Sequence, residues 1–211
     1  GNKIIFTDGY LAVDNLSIQS GEERINIQSS NNGLLQRIAV QIHNLNASEI
    51  ADVSGLSEYE TKGVINGIVK IDNLFSELVI TSDIKATGVV LGEDTVGNIT
   101  LAGYYDDKKK IINLDPQTGI FYHDRALTAS GEISFDSASA ERIDAEINMH
   151  QTRLSLLTPW LRGYVSNISG TVDGKVIVKG TSDKPDINGR LNLNDMGVHI
   201  DFLGTDYVVP K

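Results

Sequence analysis

From Thr61 onward, apolar residues recur at every second position of the chain. Ile65, Gly67, Val69 and Ile71 share one side of the first such run, and Leu78 and Ile80 continue the pattern after Asn73. Side chains alternate across a strand with a period of two, so each run predicts a strand with one dry face and one wet face. Residues 83–91 read as a strand broken by Gly88, and Ile99 and Leu101 follow Gly97. A charged turn at residues 105–111 precedes Ile112 and Leu114, and a second turn at 115–119 precedes Phe121. The next pair, 129–135 and 143–149, turns Ile133, Phe135, Ile143, Ala145, Ile147 and Met149 to its dry side.

The last quarter opens with an apolar knot at residues 154–163, predicted as a short helical turn that Thr152 caps and Gly163 ends. A strand over 170–180 carries Val172, Val176 and Val178, and a turn at 181–186 leads into a second strand, 187–195. There Ile187, Gly189, Leu191 and Leu193 oppose Asn188, Arg190, Asn192 and Asn194. A third strand, 197–203, with Val198 and Ile200, follows a single bend. At the other end of the chain, runs at 3–6 and 10–18 flank the hairpin signal Asp8-Gly9, and runs at 22–27 and 34–42 flank Asn31-Asn32-Gly33. Residues 46–56 are the other place for a helix, with Ser48 as its cap. Strand signals at spacings of roughly 10 residues predict an all-β meander of about a dozen strands. No 20-to-50-residue unit repeats strictly, and a degenerate Gly-x-apolar-x-Gly theme runs through the chain instead.

A sheet with one apolar face must bury it against another sheet, helices or a ligand, and this chain offers almost no helix. Either two faces close on each other in a sandwich or barrel, or a curved open sheet leaves a trough that lipid fills. The trough would be lined by Ile65, Val69 and Ile71, then Leu101, Ile133, Phe135, Ile143 and Ile147, then Val172, Val176, Val178, Leu191, Leu193, Val198 and Ile200. Aliphatic walls with only 6% aromatic residues suit acyl chains, which need greasy continuity rather than directional bonds. Leu156, Leu157, Trp160 and Leu161 in the knot read as a plug over one section of the sheet, or as a docking element.

Composition narrows the field. A chain of 211 residues is long enough to bury a core, and its formal charge of −10 argues against a nucleic-acid partner. It has no cysteine, so disulfides and thiolate chemistry are excluded, and no apolar run long enough to span a bilayer. The start at Gly1 reads as a cleavage scar, and the chain as one β-rich fragment of a longer protein whose membrane anchor lies outside it.

Candidate chemistry is sparse. His43, His123, His150 and His199 are isolated, and Asp106, Asp107 and Lys108 to Lys110 read as a solvated hairpin tip rather than an acid/base cluster. The stretch from Asp183 to Gly189 echoes a calcium loop without its spacing or terminal Glu. No nucleophile elbow, phosphate loop or His-Glu-x-x-His is present, so no enzyme activity, cofactor or metal is expected. A carbohydrate-active site would need two carboxylates converging in a cleft about 5–10 Å apart.

The ordered set Leu157, Pro159, Leu161, Gly170, Val172, Gly174, Gly180, Thr181, Pro185, Asn188 and Gly189 resembles the C-terminal domain of TamB-type translocation and assembly module proteins, within the AsmA-like group. The asparagine-rich wording resembles a Bacteroidetes-like branch. The likeness extends more weakly to residues 63–115, dividing the chain into less regular β (1–60), a meander (61–150), and a short helix with TamB-like strands (151–211). It implies a U-shaped all-β trough in the periplasmic part of an inner-membrane-anchored, Gram-negative envelope protein. It further implies phospholipid acyl chains as guest, an outer-membrane barrel of the BamA or TamA type as partner, and a role in outer-membrane biogenesis by lipid conduction or protein assembly. The alternative is a non-catalytic β-sandwich binding module of the adhesin kind.

Overall fold

The computed structural model describes residues 3–7, 9–32, 35–51, 60–135, 141–161 and 163–209. Strands β1 (Lys3–Thr7) and β2 (Tyr10–Asp14) pair as a separate ribbon. The sheet proper begins with β3 (Leu16–Ser20), β4 (Glu23–Asn32), β5 (Leu35–Asn46), β6 (Thr61–Asp72), β7 (Val79–Leu91) and β8 (Asp94–Asp106). It continues with β9 (Ile111–Leu114), β10 (Gly119–Tyr122), β11 (Arg125–Ser134), β12 (Arg142–Arg153), β13 (Val165–Thr181), β14 (Lys184–Ile200) and β15 (Thr205–Val209). Together these form one 13-stranded antiparallel sheet in which order in space follows order in the chain.

Strands β9 and β10 share a single row between β8 and β11. The row is interrupted at residues 115–118, and there the buried Thr118 hydroxyl accepts from Ala102 N–H at 3.0 Å and donates to the Ala102 carbonyl at 2.7 Å. A side chain thus replaces a ladder step, so the backbone of β8 stays satisfied across the gap.

The sheet is open. A compact monomer of this mass would expose about 9,600 Å², whereas this chain exposes 13246 Å². Among the described residues no bulky side chain is fully buried. A sandwich needs two facing sheets and a closed core, so the sandwich alternative does not describe this chain.

Register shifts gather at one end of the sheet, near the junctions of β5 with β6, β7 with β8, β12 with β13, and β13 with β14. Each bulge carries a residue in the left-handed region, among them Asn44, Gly88, Gln151 and Asp195. A bulge leaves an N–H without its ladder partner, and at three of them a side chain on the next strand takes it. Asn44 N–H donates to Asn66 Oδ1 at 3.0 Å, Gly88 N–H to Asn98 Oδ1 at 3.1 Å, and Gln151 N–H to Asp173 Oδ1 at 2.8 Å.

These positions expose an internal duplication. Asn44 and Gln151, Gly63 and Gly170, Gly67 and Gly174, and Gly88 and Asp195 are each 107 residues apart, and every one has positive φ. The 3-10 turns that follow the bulged strands, Ala47–Ile50 and Leu154–Leu157, begin at the same offset. The sheet from β3 to β15 is therefore two copies of a six-row unit. At 107 residues the period is far longer than a solenoid unit of 20 to 50, and within it the Gly-x-apolar-x-Gly theme varies from strand to strand.

Several local expectations need correction. Residues 10–18 do not form one strand, because Asn15 turns the chain between β2 and β3 at φ 49. Residues 83–91 are continuous within β7, with Gly88 as a bulge rather than a break. Residues 197–200 belong to β14, which absorbs the predicted bend at Asp195, and the next strand begins at Thr205. The first helical turn is capped by Asn46, which accepts from Ser48 N–H at 3.1 Å, not by Ser48. Thr152 caps nothing, since its hydroxyl donates to the Ala126 carbonyl at 2.7 Å. The end of the first predicted helix, residues 52–56, and Gly33 of the predicted turn lie outside the described residues.

Candidate functional site: an apolar sheet face

The registers carry one face across the sheet. A single row passes through Leu16, Ile27, Val40, Val69, Ser82 and Gly103, then Leu114, Gly131, Ala145, Val178 and Ile187. Only Ser82 in that row is polar. The adjoining row holds Ile25, Ile42, Gly67, Ile84 and Leu101 in the first half of the sheet and Ala129, Ile147, Val176 and Gly189 in the second, on the same face. The opposite face carries the ion pairs, Arg37 with Asp72 at 2.6 Å, Lys175 with Glu146 at 2.6 Å and Lys179 with Asp144 at 3.2 Å.

Small residues sit in the middle rows for a physical reason. A Cβ on Gly67, Gly103, Gly131 or Gly174 would strike the carbonyl oxygen of Asp83, Asn113, Asp144 or Arg190 on the neighbouring strand. The neighbouring backbone comes too close there for a side chain, and mid-strand glycine is what fits.

Of the residues expected to line a groove, Ile65, Val69, Ile71, Leu101, Ile133, Ile143, Ile147, Val172, Val176, Val178, Leu191 and Leu193 share this face by register. Phe135 stands one residue past β11, where its N–H donates to the Lys110 carbonyl. Val198 and Ile200 lie beyond the bulges of β13 and β14 and pair with Tyr207 and Thr205. The face is partly covered: Ile65 and Val172 are buried, while Leu101 is 45%, Leu191 48% and Ile187 64% exposed.

Covers approach from both ends of the strands. The β1–β2 ribbon lies against β4, where Val13 N–H donates to Ser29 Oγ at 2.8 Å, and Phe6 meets Phe75 edge-on at 6.0 Å. At the bulged end the knot forms a 3-10 turn, Leu154–Leu157, and a helical turn, Thr158–Leu161. Leu154 is buried, and Leu156 lines a crevice with Val96, Ile120, Tyr122 and Leu127. Leu161 is exposed, and the side chains of Leu157 and Trp160 lie outside the described residues.

The polar clusters are paired. Lys108, Lys109 and Lys110 bind Glu77, Asp106 and Asp107 at 2.7, 3.4 and 2.7 Å. The Lys109 backbone N–H holds the Asp106 carboxyl below its ordinary range, and the Lys110 ammonium, then the Tyr105 hydroxyl, do the same for Asp107. A general acid needs the opposite shift. His150 lies 3.2 Å from Asp173 and His199 2.7 Å from Asp206, and among the described residues no three metal-binding side chains converge.

Sequence reasoning missed the bulge braces Asn66, Asn98 and Asp173 and the rim residue Arg125. The signal for two of the braces was present, as Asn or Asp directly before the second glycine of Gly63-Val-Ile-Asn-Gly67 and Gly170-Thr-Val-Asp-Gly174.

No curated protein and no solved structure matches the chain. The family model of the TamB C-terminal domain matches residues 122–209, from the end of β10 through β15. That span holds five of the six rows of the second copy, its helical knot and the β13–β14 glycine pairings on which the resemblance rests. Over residues 122–209 the chain is similar to the TamB C-terminal domain.

Proposed function

We propose that the apolar face seats phospholipid acyl chains in the periplasmic part of an inner-membrane-anchored envelope protein, working with an outer-membrane barrel of the BamA or TamA type. The family match supports a place in the translocation and assembly system of a Gram-negative envelope. The observation that carries the lipid reading is the row from Leu16 to Ile187, which runs from β3 to β14 without one charged residue.

Twelve rows at the spacing of hydrogen-bonded strands make a strip about 50–55 Å long. Hydrocarbon is attracted to such a strip in proportion to the area it removes from water, and it slides because no directional bond fixes it. Headgroups remain at the strand ends, in water. Conduction along the strip is passive.

A photo-crosslinker at Leu101 or Leu191, both exposed on the apolar face, should capture phospholipid from vesicles. The same group at Asp83 or Asn192, on the opposite face, should not. A folded protein that captures no lipid from either apolar position would end the reading.

A further inference from the structure

Among the described residues that the registers place on the apolar face inboard of the bulges, only Glu23 and Arg125 are charged, and the one cation is Arg125. It closes the β10–β11 hairpin opposite Tyr122, at the bulged end of the strands. No hydrogen bond or ion pair among the described residues holds its guanidinium. Beside it stands a second cation, Arg153, which lies 5.1 Å from the Tyr122 ring centroid and donates to the Thr95 carbonyl. Both line the crevice floored by Val96, Ile120, Leu127 and Leu156.

The duplication shows that the fold does not require these cations. Ala126 pairs with His150 as Arg24 pairs with His43, so by register Tyr122–Arg125 corresponds to Ser20–Glu23 in the first copy, and Arg153 precedes its 3-10 turn as Asn46 does. In the first copy the same corner is closed internally, because Asn46 N–H donates to Glu23 Oε1 at 3.2 Å. The second copy replaces that acid with an arginine, and among the described residues no carboxylate pairs with it.

A guanidinium facing apolar surface without an anion is unfavourable. Its planar fork suits a phosphodiester, and a neighbouring guanidinium reinforces the field. We infer that Arg125 and Arg153 seat the phosphodiester of a glycerophospholipid whose acyl chains lie inward along Ile120 and Leu127. The inference rests on the acyl-chain reading above and adds the anchoring group to it.

The test measures binding of the 211-residue chain to two fluorescent probes with identical acyl chains, a phosphatidylglycerol and a diacylglycerol. Wild type should prefer phosphatidylglycerol by about tenfold, the value of charge-assisted hydrogen bonds. Arg125→Gln together with Arg153→Gln should abolish the preference and leave diacylglycerol binding unchanged. Arg125→Gln alone breaks no internal bond, so it reports on the site even if the double variant fails to fold, and it should lower the preference severalfold. Equal binding of both probes by wild type, or an undiminished preference in Arg125→Gln, overturns the phosphodiester seat while the apolar strip stands. Binding of neither probe by folded wild type overturns the acyl-chain reading and this inference with it. Displacement of phosphatidylglycerol by glycerol 3-phosphate at equal concentration would mean a soluble-phosphate site, and would overturn the lipid assignment.

Discussion

Asp173 Oδ1 accepts the backbone N–H of Gln151 at 2.8 Å, and one repeat earlier Asn66 Oδ1 accepts the N–H of Asn44 at 3.0 Å. The second carboxylate oxygen of Asp173 accepts from Asn194 Nδ2 at 3.2 Å, so this one side chain ties β12, β13 and β14 together at the bulge line. Asp173→Ala should therefore lower stability by about 1–3 kcal/mol, the range for orphaning a partly buried polar group. Asp173→Asn keeps an acceptor for Gln151 and should lose under about 1 kcal/mol. Urea unfolding of both variants decides it: equal losses would mean the brace is not the reason for the acid.

Glycine at 174 is required by crowding rather than by turn formation. Gly174→Ala drives a methyl into the Arg190 carbonyl at φ 150 and should cost at least about 2 kcal/mol. Gly21→Ala, at φ 57 in open space, should cost only about 1 kcal/mol. A thermal melt that ranks the two the other way would refute close packing of β13 on β14.

The Lys175 ammonium, then the Asn148 amide, hold the Glu146 carboxyl below its ordinary value. A depressed carboxylate adds stability above its unfolded pKa, and that contribution is lost as pH falls through the folded value. Denaturation midpoints taken downward from pH 6 should fall less for Glu146→Gln than for wild type, with the difference appearing below the ordinary glutamate value of about 4.3. Superimposable pH profiles would show that the pair does nothing for the fold.

Leu191→Asp places a charge on the apolar face at a position already half in water. Stability should change by less than about 1 kcal/mol, while lipid crosslinking from Leu101, on the same face, falls severalfold. A variant that unfolds, or one that keeps full capture, would contradict the two halves of this expectation separately.

Much of this architecture was legible in the alternation of residues. Ile65, Val69 and Ile71 announce a strand by spacing alone, and so do Leu191 and Leu193, because period two is a local property. The charged tip at Lys108 to Lys110 was equally plain. Long-range geometry was not. Asp195 continues β14 through a bulge, although its neighbours Asn194 and Gly197 look like a turn, and only the pairing with Ser169 and Thr171 reveals the difference. Thr152 has the right identity for a cap, yet its hydroxyl is taken by Ala126 on another strand. Arg125 sits in a run of ordinary polarity, and its place on the apolar face appears only when the strands of the sheet are laid in register.

Duplication in six-row steps has a consequence for span. Each added copy would extend the greasy strip by about 29 Å at the usual strand spacing and would bring its own bend, brace and corner in phase with the last. A protein built this way can be matched to the width of a compartment by copying a module, much as a rail line is lengthened in standard sections, without redesigning any joint.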